Sequence, residues 1–194
     1  MELASSVVFG LLLGFSLTIP PGPMNALIAS RATRSLRAGI VTGFGAMSAD
    51  LILGVLVYGL HTVVDLAAFV RVVYGIGAVV MGYLGYRVLT APPPSEAEAE
   101  TTGLRVYSQA LGIGLSNPFQ IVWWLTAGLA FAYLGGLPLF AALFAAVLAW
   151  VLAFPYAVHL GTRRRPGLAR AVALASGVIL VGFAAYFVYL AVWT

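Results

Sequence analysis

Residues 40–60 read IVTGFGAMSADLILGVLVYGL, an apolar run with a single charge, Asp50, at its centre. A run of that length spans a bilayer as a helix. A carboxylate at mid-depth costs roughly 2.5–3.5 kcal/mol on insertion scales, so it is expected to face a cavity or a partner rather than lipid. Gly43, Ala46 and Gly54 stand at i−7, i−4 and i+4 from Asp50, a smooth face where another backbone can approach. Two readings stand side by side. Asp50 is either a structural carboxylate hydrogen-bonded within a bundle, or a charge kept inside the membrane for a cation or a proton.

The surrounding composition agrees with a lipid solvent. The chain is 62% hydrophobic and 8% charged, with a mean hydropathy of +1.03. No soluble domain of 194 residues hides that much apolar surface. Cysteine is absent, which removes disulfides and thiolate metal sites. All ten basic residues are arginines, gathered at the ends of apolar runs instead of forming a stripe, so the pI of about 9.7 is no sign of nucleic-acid binding.

Six apolar runs are long enough to cross, at about 5–29, 38–60, 66–89, 106–134, 137–160 and 168–193. Run lengths and the need to satisfy every backbone group in hydrocarbon favour helices over strands. The first run has no basic leader, only Glu2, and is long for a cleavable signal peptide. Arg31, Arg34, Arg37, Arg87, Arg105, Arg163, Arg164, Arg165 and Arg170 all fall on one side of a six-span chain. The positive-inside rule makes that side cytoplasmic, in a cell membrane, with both termini outside. Arg71 is the exception, expected to snorkel outward or, less favourably, to partner Asp50. Tyr189 and Trp193 read as interface anchors.

Residues 91–104 form the linker, opening APPPSEAEAETTG, too polar and proline-rich for a core. It divides the chain into 1–90 and 105–194, three spans each. An odd number of spans per half makes the second half enter from the opposite side, as in an inverted-topology repeat. The expected fold is therefore all-α, six transmembrane helices as two inverted three-helix repeats.

The first and fourth spans carry breakers at equivalent places. Pro20-Pro21-Gly22-Pro23 cannot sit in a continuous helix. Asn117-Pro118 reads as an N-cap followed by the first helical residue, and Gly22-Pro23 fits the same pattern less strongly. Pro155 in span five reads as a simple kink. At 1.5 Å rise, Pro20 lies roughly 16 Å from Arg31, Pro118 roughly 20 Å from Arg105 and Asp50 roughly 20 Å from Arg37, all near the midplane. Half-helix N-termini offer N–H groups to a carboxylate, freed carbonyls suit a cation, Asn25 and Asn117 add amides, and Asp50 supplies one negative charge. That combination matches a zwitterion, and an amino acid is the obvious one. Trp124, at i+7 from Asn117, would either wall the cavity or pack against spans five or six.

The segment PPGPMNALIASRATRSLRAGIVTGFGAMSAD resembles the signature of the lysine-exporter (LysE/RhtB) family of amino-acid exporters, and LSNPFQIVWW resembles that family's second Asn-Pro motif. The two three-span halves and their variable link are also similar, so the likeness covers nearly the whole chain. By this resemblance Pro21, Gly22, Pro23, Asn25, Asp50, Asn117 and Pro118 are the substrate and coupling positions. Met24 and Phe119 depart from the pattern, the latter standing where a lysine is often found.

The implied activity is secondary-active export of amino acids by alternating access, coupled to protons or ions, with no cofactor and no nucleic-acid partner. A metal exporter would need several ligands at one depth, whereas His61 and His159 lie near span ends. An intramembrane hydrolase would need an activated nucleophile, which the spans do not supply. A small-solute or ion channel lined by the same half-helices is the rival reading. Gly75, Gly82, Gly85, Gly177 and Gly182 read as close-packing positions within or between protomers, which leaves a homo-oligomer open.

Overall fold

Apolar runs free of clustered prolines become long helices here, and the two runs that carry breakers are interrupted at them. The computed structural model describes residues 3–20, 22–60, 70–90, 103–125 and 136–193, with side chains for all of these except 60, 70–73 and 166. Pro21, His61, residues 91–102 of the linker and the Arg71 side chain fall outside that description, and so do the expectations placed on them. Among the described residues every regular element is a helix: α1 (Leu3–Thr18), α2 (Pro23–Arg34), α3 (Leu36–Leu60), α4 (Val70–Thr90), α5 (Gly103–Leu115), α6 (Pro118–Trp123), α7 (Gly136–Arg164) and α8 (Pro166–Trp193). The linker is shorter than its composition implied at its far end, because Gly103 and Leu104 already belong to α5.

Three helices are long and apolar enough to cross a membrane, Leu36–Gly59 within α3, Gly136–Arg164, and Gly167–Trp193 within α8. The pair α1 and α2 meets the same test together, bent by 71° at the proline break. The chain is a membrane protein on this ground. With Arg71, Arg87 and three tyrosines, α4 has the length but less apolar character. Helix α7 runs through Pro155 without a break, and that proline is buried against Gly39 of α3. Ser35 separates α2 from α3, its N–H returning to the Arg31 carbonyl at 3.0 Å and its hydroxyl receiving the Ala38 N–H.

In lipid the drive for helices to associate comes from close van der Waals packing more than from burial, so backbone approach decides who pairs with whom. The most extensive contacts join α4 with α8, α1 with α7, and α3 with α5; α2 lies centrally against α3, α7 and α8. Small residues make each seam. A Cβ on Gly10 or Gly14 of α1 would strike the Leu139 and Leu143 carbonyls of α7, and one on Gly45 of α3 would strike Ala110 and the Tyr107 carbonyl of α5. Gly85 and Gly177 bring α4 and α8 together as expected. Gly75 and Gly182 do not pack within the chain: among the described residues nothing stands within 4 Å of a Cβ at either. Gly77 takes that role on α4, where the Pro118 ring fills the space a side chain would need.

Candidate functional site

The helices are interrupted at both proline sites, with a bend of 71° at the first, and the two breaks meet beside Asp50. At the first, Gly22 is the N-cap of α2 in extended backbone (φ −147°, ψ 175°), Pro23 is the first helical residue, and no side chain caps the helix. Pro23 has no N–H, so the donors left over in the first turn are the backbone N–H groups of Met24 and Asn25. The Asn25 side chain is turned the other way. Its amide donates to the carbonyls of Thr18 and Pro20, the latter at 3.0 Å, and so closes the frayed end of α1. Its Oδ1 accepts the Trp150 indole N–H at 3.0 Å.

At the second turn Asn117 is the N-cap of α6 and Pro118 its first residue, as the pattern predicts. The Asn117 Oδ1 accepts the Phe119 N–H at 3.1 Å, and its Nδ2 donates to Gln120 Oε1 at 3.1 Å. With its oxygen so occupied, the Gln120 amide group hydrogen-bonds the Asp50 carboxylate. Trp124 donates its indole N–H to Asp50 Oδ1 at 3.0 Å. That ring lies over Gly54, where an added Cβ would stand 2.7 Å from it, and stacks with Phe144. Gly54 therefore accommodates an indole and not a second backbone. Asp50 is 4% exposed, and both of its hydrogen-bonding partners come from one short segment of the second half.

A cavity of about 50 Å³ lies between these groups, lined among others by Thr18, Gly22, Asn25, Asp50, Asn117 and Trp150. At roughly 10–15 Å³ for each water-sized group, it takes about three to five of them. The structure thus gathers Gly22, Pro23, Asn25, Asp50 and Asn117 around one space. Two expected residues stand behind it. Pro118 is buried against Gly77 of α4, and Trp124 holds Asp50 from the side away from the cavity.

The profile of the LysE type translocator family matches residues 15–191. The chain belongs to that family. As a LysE type translocator it is a membrane transporter of amino acids or similar solutes, which accords with the expectation of a non-enzyme. Comparison with curated proteins and with solved structures found no match.

Three contributors to the site were not singled out in the sequence. Gln120 is a buried amide at i+3 from Asn117, and a polar residue at that depth of a span was itself a signal. Trp150 lies thirteen residues before Arg163, roughly 20 Å by helical rise and level with Asp50, so the depth arithmetic could have found it. Thr18 contributes a carbonyl, which no residue type advertises. At the arginine-rich end, Arg31 donates to Thr42 Oγ1 (3.1 Å), the Val106 carbonyl (3.2 Å) and Gln109 Oε1 (3.2 Å), joining α2, α3 and α5. His159, near the same end of α7, hydrogen-bonds the Ala32 carbonyl at 2.8 Å and ties α7 to α2.

Proposed function

We propose that this translocator exports an amino acid by secondary-active transport, binding it in the cavity between the α2 N-terminus and Asp50. The observation that carries this reading is the pairing, around one cavity, of a helix start without a side-chain cap and a buried carboxylate. The Met24 and Asn25 N–H groups suit the substrate carboxylate, with the helix dipole favouring negative charge there. Asp50 suits the ammonium group or the coupling proton. Gln120 and Trp124 keep that carboxylate aimed at the cavity.

The same reading takes the chain as six spans in two inverted repeats, each beginning with a broken helix. The helix pairing supports it. If α1–α2 corresponds to α5–α6, and α3 to α7, then the α1–α7 seam and the α5–α3 seam are one contact seen twice, and α4–α8 is its own equivalent. Alternating access would proceed by movement of one repeat against the other around the midplane. The arginine-rich side is cytoplasmic in this proposal, the membrane is the cell membrane, and both termini lie outside.

The test is purified protein in proteoliposomes with a panel of amino acids, uptake and efflux being followed under imposed pH gradients. Saturable flux that responds to the gradient supports the carrier; unsaturable current would establish the channel instead. Orientation is checked separately. Cysteines at Arg34, Arg164 and within 91–102 should resist an impermeant thiol reagent in intact cells and react after permeabilisation, and labelling from outside would reverse the topology.

A further inference from the structure

A second cavity, of about 320 Å³, lies between α2, α7 and α8 on the other side of Asn25 and Trp150. Gly22, Asn25 and Trp150 line both spaces, so the two are neighbours across one thin wall. The wall is the Trp150 ring, stacked on Phe154 with centroids 5.0 Å apart and latched by its N–H to Asn25 Oδ1. The charge changes across it, since Asp50 lines the smaller cavity among mostly apolar neighbours. The larger cavity is lined by aliphatic and aromatic side chains such as Ala29, Phe154, Val158 and Ile179, with Ser176 and Asn25 the polar exceptions and no charged group.

The sizes bear on what is carried. The smaller cavity, with Asp50, Asn25 and Asn117 in its wall, has room for the amine, Cα and carboxylate of an amino acid and little else. Any side chain beyond the smallest needs room elsewhere, and the apolar cavity adjoins it. We propose that this cavity receives the side chain of the transported amino acid once Trp150 turns aside, so that the substrate is a large, uncharged, apolar amino acid. The inference rests on the proposed function and names its substrate class. A lysine or glutamate side chain placed there would leave a charge buried without a partner, a far larger cost than an aliphatic chain meets.

The experiment uses full-length protein in proteoliposomes with labelled alanine and labelled leucine as probes, competed by unlabelled leucine, phenylalanine, lysine and glutamate. Leucine and phenylalanine should compete best in the wild type. Filling the cavity from either side, with Ala175→Phe on α8 or Ala29→Leu on α2, should weaken leucine and phenylalanine about tenfold while alanine is unchanged. Ala175 is exposed at the cavity margin, so its variant tolerates the added ring even if the buried Ala29 substitution does not fold. Preference for lysine or glutamate, or an unchanged order in the filled variants, would overturn the assignment. Equal weakening of alanine and leucine would mark a groove occupied by a lipid chain and overturn it as well. Failure of every α-amino acid to compete in the wild type would instead sink the reading of the polar site, and this inference with it.

Discussion

At the first break Gly22 caps α2 with backbone alone, while at the second Asn117 folds its own side chain onto the Phe119 N–H at 3.1 Å. Both breaks place a proline at the first helical position, and both meet the problem that a helix start leaves donors unpaired. The second break settles it internally, and its spare amide goes through Gln120 to Asp50. The first has no side-chain cap, lines the cavity with Met24 and Asn25, and spends its asparagine amide on the carbonyls of Thr18 and Pro20. Two superficially matching motifs thus differ in what they do with their side chains: in the proposed site the first end is the one offered to an anion, and the second holds a carboxylate in place. The difference lies in one residue, glycine against asparagine at the N-cap.

The largest expected effect tests the carboxylate end. Asp50→Asn keeps shape and hydrogen bonding, so the protein should remain abundant, yet transport should fall by about a hundredfold or more, since deleting one partner of a desolvated ion pair costs about 3–5 kcal/mol. Residual transport should no longer respond to a pH gradient. An abundant variant with normal flux would make Asp50 a structural residue and reduce the comparison to backbone geometry.

Next comes the open end. Methyl esters or decarboxylated analogues of a transported amino acid should compete at least tenfold less well, because a hydrogen bond to a charged group is worth about 1.5–3 kcal/mol. Equal competition by the amine alone would move the anion site away from α2. Smaller still is the loss of the internal cap. Asn117→Ala should lower thermal stability by about 0.5–2 kcal/mol, the usual value of an N-cap, and free Gln120 from its anchor. The least effect belongs to Gly22→Ala, within about 0.5 kcal/mol in stability, because its backbone lies in a region open to alanine and the nearest atom to an added Cβ is 3.8 Å away. Strong destabilisation there would mean that the first break is as tightly closed as the second.

The sequence made the breaks and the buried charge legible because prolines and a lone aspartate act locally, through the backbone and through desolvation. It also carried the bounds of the second, fifth and sixth apolar runs to within a few residues of the helices Leu36–Leu60, Gly136–Arg164 and Pro166–Trp193. Helix pairing was less accessible. Gly10 and Gly14 bind α1 to α7 through carbonyls of Leu139 and Leu143, and nothing near Gly10 in the chain announces that partner. Gly75 and Gly182 sit in the same kind of helix face as Gly85 and Gly177, yet among the described residues of the chain nothing stands against them, so a glycine in a span indicates an opportunity for contact, not the contact. Trp124 shows a further limit. Counting helical turns placed it on the face of Asn117, but the segment Trp124–Leu125 winds more loosely than an α-helix, and the ring reaches Asp50 from outside the cavity.

The pairing of α1 with α7 bears on how this protein is made. The smooth seam on α1 leaves the ribosome before its match on α7, which is synthesised only after α2 to α6 have followed. Through that interval α1 must rest against lipid or the insertion machinery, and α2 must wait for α8 as well. Neither half can settle before the other arrives. Chains stalled before α7 should therefore be targets of membrane quality control, and two halves severed within the linker should survive only when produced together.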